Sequence, residues 1–260
     1  MLNLAKLIRP RLSFTIGDPH FHGFDGESFD FMGEPNRYYN LLTDAEVQVN
    51  ALFVHWPTGG ADNFTATEQI GILVKNHRLQ ISPTGLTIDG LDVPEAQTTH
   101  SVGAGASASV EKFDQLDDRV PDGMRNDPRC ANFIRGYRVK TRCGYEFVIT
   151  VSTDNVNPPF LNLASKMNRR LWPHGIIGQT ADHDGMARHG CGQNGEGIIE
   201  GRYPDYEVSS LWGTDFKFNK YKTDGGRRSI LRRSAERFLF LILAATRKAV
   251  DRSRSLALSN

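Results

Sequence analysis

The stretch GDPHFHGFDG occupies residues 17–26, and FDFMG follows it at residues 29–33. Two turn dipeptides, Asp18-Pro19 and Asp25-Gly26, frame the first stretch, because proline fixes φ and glycine permits positive φ. Around them, large apolar side chains fall at odd-numbered positions, as half-buried strands require (Phe21, Phe29 and Phe31). The stretch therefore predicts a corner in which short strands alternate with tight turns.

Apolar and polar residues also alternate further along the chain. Between residues 47 and 53 the apolar side chains share one face, with Gln48 and Asn50 on the other. Between residues 79 and 88 the apolar residues change from odd-numbered to even-numbered positions across the four-residue stretch SPTG. This change predicts a hairpin with a loop of even length. From residue 137 to residue 151 the side chains of the strand-forming face fall at odd-numbered positions throughout. This pattern predicts a hairpin with a three-residue loop at 142–144 or, alternatively, one long strand. These segments favour an antiparallel β-sandwich or curled sheet.

Composition limits the classes of protein to consider. The chain has 260 residues, of which 39% are hydrophobic and 23% charged, as in an ordinary globular protein. This length fits one large β domain or two small ones. The net charge of +1 gives no electrostatic reason to expect nucleic acid as a partner. Three cysteines are too few for a disulfide-built scaffold, and the odd number leaves at least one without a partner within the chain.

A second segment, HGIIGQT at residues 174–180, lies far downstream of the first. Together the two segments resemble the von Willebrand factor type D domain, which opens with Gly-Asp-Pro-His, a Phe-Asp-Gly turn and an aromatic-x-Phe-x-Gly strand. The second segment is most similar to the plant root cap, or late-embryogenesis-like, branch, whose pattern is His/Asn-Gly-x-Leu-Gly-Gln-Thr. The matching positions are Gly17, Asp18, Pro19, His20 and Gly26 in the first segment, and His174, Gly175 and Gly178 in the second.

A third segment, SSLWGTD at residues 209–215, resembles the Ser-Ser-Leu-Phe-x-Thr-Asp-Cys ending of the root cap family, with Phe216 in place of the cysteine. The resemblance thus covers residues 17–221. It implies a type D-like β domain over that range, preceded by an N-terminal extension (residues 1–16) and followed by a basic, helical C-terminal tail (residues 222–260).

The resemblance also implies a function, since the family is extracellular and has no established catalytic activity. We therefore expect a non-enzymatic structural or adhesive module with an extracellular or cell-surface partner. Residues 1–14 lack the apolar run of ~7–15 residues that a signal peptide needs. The chain is accordingly a fragment, has a misassigned start, or is an intracellular member. The alternative function is a metal-dependent hydrolase acting on carbohydrates or esters, although no nucleophile–base pair is evident.

The sequence DHDG at residues 182–185 follows the second segment directly. Aspartates at i and i+2 before a glycine place two carboxylates on one side of a tight loop, which suits Ca²⁺ and its oxygen ligands. Type D domains bind Ca²⁺ in the corresponding loop together with the aspartate of the Phe-Asp-Gly turn. The resemblance implies a Ca²⁺ site of Asp25, Asp182 and Asp184, with the amide oxygen of Gln179 as a further ligand. An acidic turn that binds nothing is the alternative.

Histidines and one cysteine cluster near both segments (His20, His22, His174, His183, His189 and Cys191). Imidazole and thiolate suit zinc, but none of the spacings matches a recognised zinc pattern, so zinc is not expected. The resemblance further implies self-cleavage in acid at the Asp18–Pro19 bond, because some type D-containing proteins are cut within this Gly-Asp-Pro-His sequence.

The last residues lie outside the resemblance and are strongly basic. Five arginines between residues 227 and 237 precede an apolar run at residues 238–245. This run is shorter than the ~18–20 residues of a membrane span. Glycine and proline are absent from residues 229–260, which predicts a helix. The helix docks on the sheet, lies on an acidic surface or anionic lipid, or belongs to a poorly ordered tail.

Overall fold

Two antiparallel sheets make up the part of the chain that the structure, a computed structural model, describes. The described residues are 11–17, 20–56, 64–95, 98–103, 105–130, 132–154, 157–168, 171–181, 199–217 and 219–221. The strands are, in chain order, β1 (Arg11–Ile16), β2 (His20–His22), β3 (Ser28–Asp30), β4 (Arg37–Thr43), β5 (Val47–His55), β6 (Thr65–Val74), β7 (His77–Ser82), β8 (Gly85–Ile88), β9 (Leu91–Asp92), β10 (Thr99–Val102), β11 (Ala108–Phe113), β12 (Phe133–Thr141), β13 (Tyr145–Ser152), β14 (Phe160–Met167) and β15 (Glu207–Val208).

Sheet A has eight strands in the order β10-β11-β12-β13-β14-β1-β2-β3, and sheet B has seven in the order β15-β4-β5-β6-β7-β8-β9. The helical elements among the described residues are short. They comprise α1 (Asp122–Arg125) and 3₁₀ turns at Pro128–Cys130, Gly178–Ala181 and Tyr203–Tyr206. The prediction of a mainly β, antiparallel fold is therefore confirmed, while the expected C-terminal helix lies outside the described residues.

The main hydrophobic core contains residues from both sheets. Its largest members are aromatic and fully buried, and several of them contact one another edge to face (Phe21, Phe31, Tyr39, Phe53). A second, smaller cluster combines residues of sheet A with Val120, Met124 and Cys130 from the segment between β11 and β12. Strands β13 and β14 contribute to both clusters, Val148 and Ala164 to the smaller one, so this part of sheet A is covered on both faces.

The hairpins agree with the parity of the sequence. Ser82 pairs with Gly85 at the end of the β7–β8 hairpin. Residues 137–151 form a hairpin in which Lys140 pairs with Glu146, so the alternative of one long strand is wrong. Gly144 has a φ of +104° in the connecting loop, a conformation that favours glycine. The alternation that was read from the sequence thus predicts where these strands reverse.

Strand β1 lies before the first residue of the resemblance, Gly17. It pairs with β14 from Arg11 onward and with β2 from Phe14 onward. The N-terminal extension expected over residues 1–16 therefore includes a full strand of sheet A at its end. The division of the chain at residues 221 and 222 stays a prediction.

Candidate functional site

The two motif segments meet in the structure, although they are far apart in sequence. The backbone N–H of Phe24 donates to Oγ1 of Thr180 over 2.8 Å, across 156 residues of chain. A Cβ on Gly23 would lie 2.6 Å from Oδ1 of Asp25 and 2.9 Å from Cβ of Thr180. The lack of a side chain at Gly23 lets these two residues approach each other. We call the contact between Phe24 and Thr180 the motif junction.

On the first side of the motif junction is the tight turn that links β2 to β3. The amide of Gly26 donates to the carbonyl of Gly23, and the amide of Gly23 donates to the carbonyl of Glu27. Gly26 has a φ of +90°. Oδ1 of Asp25 accepts a hydrogen bond from the amide of Glu27 at 3.2 Å. The Phe-Asp-Gly sequence therefore folds as the turn that its dipeptides predict.

On the second side, the HGIIGQT segment runs beside β4. His174 and Thr43 form an antiparallel bridge, and the amide of Ile177 donates to the carbonyl of Leu41. Gly175 has a φ of +98°, and a Cβ there would lie 2.8 Å from the carbonyl oxygen of Leu41. Only glycine satisfies both conditions without a shift of the backbone, which explains the glycine at this place of the motif.

Gln179 joins this segment to the region that follows it. Its amide nitrogen donates to the carbonyl of Gly175 and to the hydroxyl of Tyr206, at 3.0 and 2.9 Å. Its amide oxygen accepts from the backbone N–H of Glu200 at 2.5 Å. The side chain is fully buried, so these contacts give Gln179 a structural role. Its assignment as a calcium ligand stays a prediction.

The other residues of the expected calcium site are only partly within the described chain. Asp25 is exposed at the motif junction, and Asp182 and Asp184 lie outside the described residues. Within the described ranges, no group of three or more His, Cys, Asp or Glu side chains is arranged to hold a metal ion. Asp25 directly follows Phe24, whose backbone N–H is hydrogen-bonded to Thr180, and this position is what the structure contributes to the expected site.

His174, by contrast, is fully buried. Its Nε2 lies 3.5 Å from Oε2 of Glu200, whose other oxygen lies 3.5 Å from Nζ of Lys220. The ring of His174 also lies 5.9 Å from that of Tyr206. His183, His189 and Cys191 fall outside the described residues. His174 thus belongs to the packing between the second motif and residues 200–206.

Gly17 holds the chain just before the Asp18–Pro19 bond, which itself lies outside the described residues. The amide of Gly17 donates to Oδ1 of Asn162 over 2.9 Å. Asn162 is buried in β14, where its amide nitrogen donates to hydroxyls of β13. The first motif is therefore fastened to the middle of sheet A as well as to Thr180.

The third motif covers a polar patch of sheet B, and sequence reasoning missed this contact. Gln48 and Asn50 face away from the main core, as predicted, yet they are only 6% and 1% exposed. Nδ2 of Asn50 donates to the carbonyls of Leu211 and Gly213, each over 3.0 Å. A Cβ on Gly71 would lie 2.6 Å from the side chain of Leu211. Neutral amides at two successive outward positions of β5 are the signal that could have indicated a covering segment.

Comparisons with known proteins add a partial likeness. No family model matches the chain. A stretch of 91 residues, 34% of the chain, is 30% identical to mouse SCO-spondin. The chain spans about 2% of the length of that protein. None of the helices formed by described residues is long and apolar enough to cross a membrane. Fold and comparisons thus define a mainly β protein of two antiparallel sheets with partial similarity to SCO-spondin.

Proposed function

We propose that the chain is a non-enzymatic structural or adhesive β module of the type D class, acting outside the cell. The observation that carries the proposal is the hydrogen bond between Phe24 and Thr180, because it unites the two segments that carry the resemblance. The two-sheet architecture and the partial likeness to SCO-spondin support the same class. Within that class, the HGIIGQT and SSLWGTD segments favour the root cap branch.

The module binds Ca²⁺ at the motif junction, through Asp25 from the first motif and Asp182 and Asp184 from the loop after the second. Asp25 supports this proposal, since its carboxylate and Thr180 both lie within 3 Å of the place where a Cβ of Gly23 would stand. Asp182 follows Thr180 by two positions, a span of at most ~7 Å in an extended chain. Three carboxylates close together repel one another, and a divalent cation reverses that repulsion.

The partner is an extracellular or cell-surface molecule that the module contacts in the presence of Ca²⁺. Beads coated with the full chain, overlaid on cell-derived extracellular matrix, test this. We expect retention in Ca²⁺ that is lost in a chelator and reduced by Asp184→Asn. Beads coated with Asp92→Asn, which changes an exposed aspartate of β9, are the matched control and should be retained like the wild type. Equal retention of wild-type beads with Ca²⁺ and with chelator would contradict the proposal.

An activity assay on the same full chain tests whether the protein is a non-enzymatic module or a hydrolase. The chain is incubated with chromogenic esters and oligosaccharides in the presence of Ca²⁺ or Zn²⁺. We expect turnover no faster than in the buffer with metal alone. Metal-dependent turnover that disappears in Asp25→Asn would show an enzyme and overturn the non-enzymatic assignment.

A further inference from the structure

We propose that the outer face of sheet A carries a binding surface for a sulfated polysaccharide, formed by Lys140, Arg142 and Lys166. We call these three residues the basic patch. Lys140 is the register partner of Glu146 on β13, and Glu146 is the register partner of Lys166 on β14. Directly paired residues point to the same face of a sheet, and neighbouring strands lie about 4.8 Å apart. The two lysines therefore project from one side of the sheet, two strand spacings apart.

The basic patch lies at one end of this face and is accessible to solvent. Val139 and Met167 belong to the main core, so the lysines beside them point to the opposite side of the sheet. At the other end of the face, residues 114–130 pack their apolar side chains against sheet A in the smaller cluster. Lys140 and Arg142 are exposed. The covering segment thus leaves the basic patch open to a ligand.

An open depression of about 410 Å³ borders Lys140 and Arg142. Small side chains from the β10–β11 turn and the start of β11 form much of its lining, among them Gly105, Ala106 and Ser109. Ser109 is the register partner of Lys140, so its hydroxyl lies on the same face. One N–H of Arg142 donates to the carbonyl of Gly105 over 3.0 Å, which holds the guanidinium at the rim and leaves its other donors for a ligand. The depression can therefore accept a sulfate group.

The carboxylates on this face are already paired with arginines outside the basic patch. Nε of Arg138 lies 2.9 Å from Oε1 of Glu146. Nη1 of Arg119 lies 2.9 Å from Oε1 of Glu111, the neighbouring carboxylate. Among the residues that the structure describes, neither the two lysines of the basic patch nor Arg142 forms an ion pair. Their positive charge is therefore available to attract an anion.

The composition of the basic patch favours a sulfated polysaccharide over other polyanionic partners. Single-stranded nucleic acids are held by aromatic side chains that stack on bases, and no aromatic residue lines the depression. A membrane surface needs apolar side chains that enter the lipid, yet the large apolar residues that are exposed in the described chain lie elsewhere (Leu91, Ile134 and Trp172). The choice of ligand rests on the proposed function, because sulfated polysaccharides belong to the extracellular matrix.

Binding of the full chain to immobilised heparin, measured in chelator at low salt, tests the proposal. Lys140→Gln/Arg142→Gln should weaken binding about 10-fold, since each exposed ionic contact that is lost costs a few-fold in affinity. Arg37→Gln/Lys75→Gln is the matched control, because it removes the same charge from exposed positions of sheet B and should bind like the wild type. Equal affinities of the wild type and Lys140→Gln/Arg142→Gln would overturn the proposal.

A measurement on the wild-type chain locates the contact, since the basic residues between 227 and 254 are a second source of attraction for polyanions. Backbone amide resonances are recorded during titration with a heparin hexasaccharide. We expect the signals of Ser109, Lys140 and Arg142 to shift. Shifts confined to residues 222–260, or no shift at all, would show that the basic patch is not the binding surface.

Two further ligands test the chemistry of the partner. Hyaluronan carries carboxylates without sulfate, and duplex DNA carries phosphates. We expect both to bind more weakly than heparin at the same salt concentration, and DNA binding as tight as heparin binding would overturn the choice of ligand. Salt screens this contact, so at physiological salt it adds to Ca²⁺-dependent binding and does not replace it. Because heparin binding is measured in chelator, a missing calcium site leaves it unchanged, and failure of the basic patch leaves the calcium tests unchanged.

Discussion

Phe24 and Thr180 are joined by a 2.8 Å hydrogen bond from the backbone of one motif to the side chain of the other. The same Thr180 hydroxyl donates to the carbonyl of Ile177 over 2.6 Å. One side chain therefore closes its own 3₁₀ turn and fastens the β2–β3 turn to it. Because Thr180 is only 1% exposed, water cannot easily replace either bond.

Thr180→Val tests the strength of this contact. Valine keeps the shape of threonine but leaves the buried N–H of Phe24 without an acceptor, which should cost about 1–3 kcal/mol of the free energy of unfolding. Urea denaturation provides the measurement. Thr87→Val, on β8, is the control and should change the unfolding free energy by less than about 0.5 kcal/mol. Equal effects of both substitutions would mean that the motif junction adds no stability.

Gly175→Ala tests the close approach of the second motif to β4. Gly90, in the β8–β9 turn, provides a matched control, since it has a φ of +83° but nothing lies within 4 Å of its added Cβ. Gly90→Ala should cost only the strain of the left-handed conformation, about 1–2 kcal/mol. Gly175→Ala should cost about 1–3 kcal/mol more, because its methyl group would press on Leu41 and Asn40. Equal losses in thermal or urea unfolding would contradict the contact.

We expect Asp117 to contribute to the dependence of the unfolding free energy on pH. A side-chain hydrogen bond from Arg119 is the main cause that lowers the pKa of Asp117 below its ordinary value of 3.8. Because the pKa is lower in the folded state than in the unfolded state, this pair stabilises the fold above about pH 4 and stops doing so as the pH falls through the folded pKa. Asp117→Asn should therefore lower stability at neutral pH and flatten its decline in acid.

The exposed neighbour Asp118 is the control for that experiment. Comparison with Asp118→Asn separates the loss of the Arg119 pair from the loss of any one carboxylate in this segment. A slope that Asp117→Asn leaves unchanged would show that the Arg119 pair does not couple to folding.

The Asp18–Pro19 bond is expected to break when the chain is held in mildly acidic buffer. The carboxylate of Asp18 can attack its own peptide carbonyl, with the proline nitrogen as the leaving group. Intact-mass analysis should reveal a fragment that begins at Pro19. The chain contains a second such bond, Asp127–Pro128, which serves as an internal control. Cleavage at Pro128 but not at Pro19, or at neither bond, would rule out a special reactivity of the first motif.

Much of the fold could be predicted from the sequence because apolar and polar residues alternate along its strands. The parity of residues 137–151 predicts the β12–β13 hairpin, and Gly144 stands where the loop needs a positive φ. The Ca²⁺ site that the resemblance implies combines a residue of the first motif with residues that follow the second, which requires the motifs to meet, and the Phe24–Thr180 hydrogen bond shows that they do. Local patterning and recognisable motifs therefore carried these predictions.

The burial of Gln48 and Asn50 could not be predicted in the same way. Alternation assigns both to the face away from the core, and only the return of Leu211 and Gly213, more than 150 residues later, covers them. The pairings of His20 with Asp30 and of His22 with Ser28 depend likewise on register, since they form only once β3 is paired with β2. Contacts that depend on long-range packing leave little trace in local sequence.

Thermal unfolding of the full chain in Ca²⁺ and in a chelator tests whether the module binds calcium. A ligand that binds only the folded state should stabilise it by ~2.7 kcal/mol when its concentration is 100 times the Kd. We therefore expect a higher midpoint in Ca²⁺ for the wild type and for Asp92→Asn, and a smaller increase for Asp25→Asn and Asp184→Asn. Identical midpoints for the wild type in Ca²⁺ and in chelator would mean that the folded chain has no calcium site.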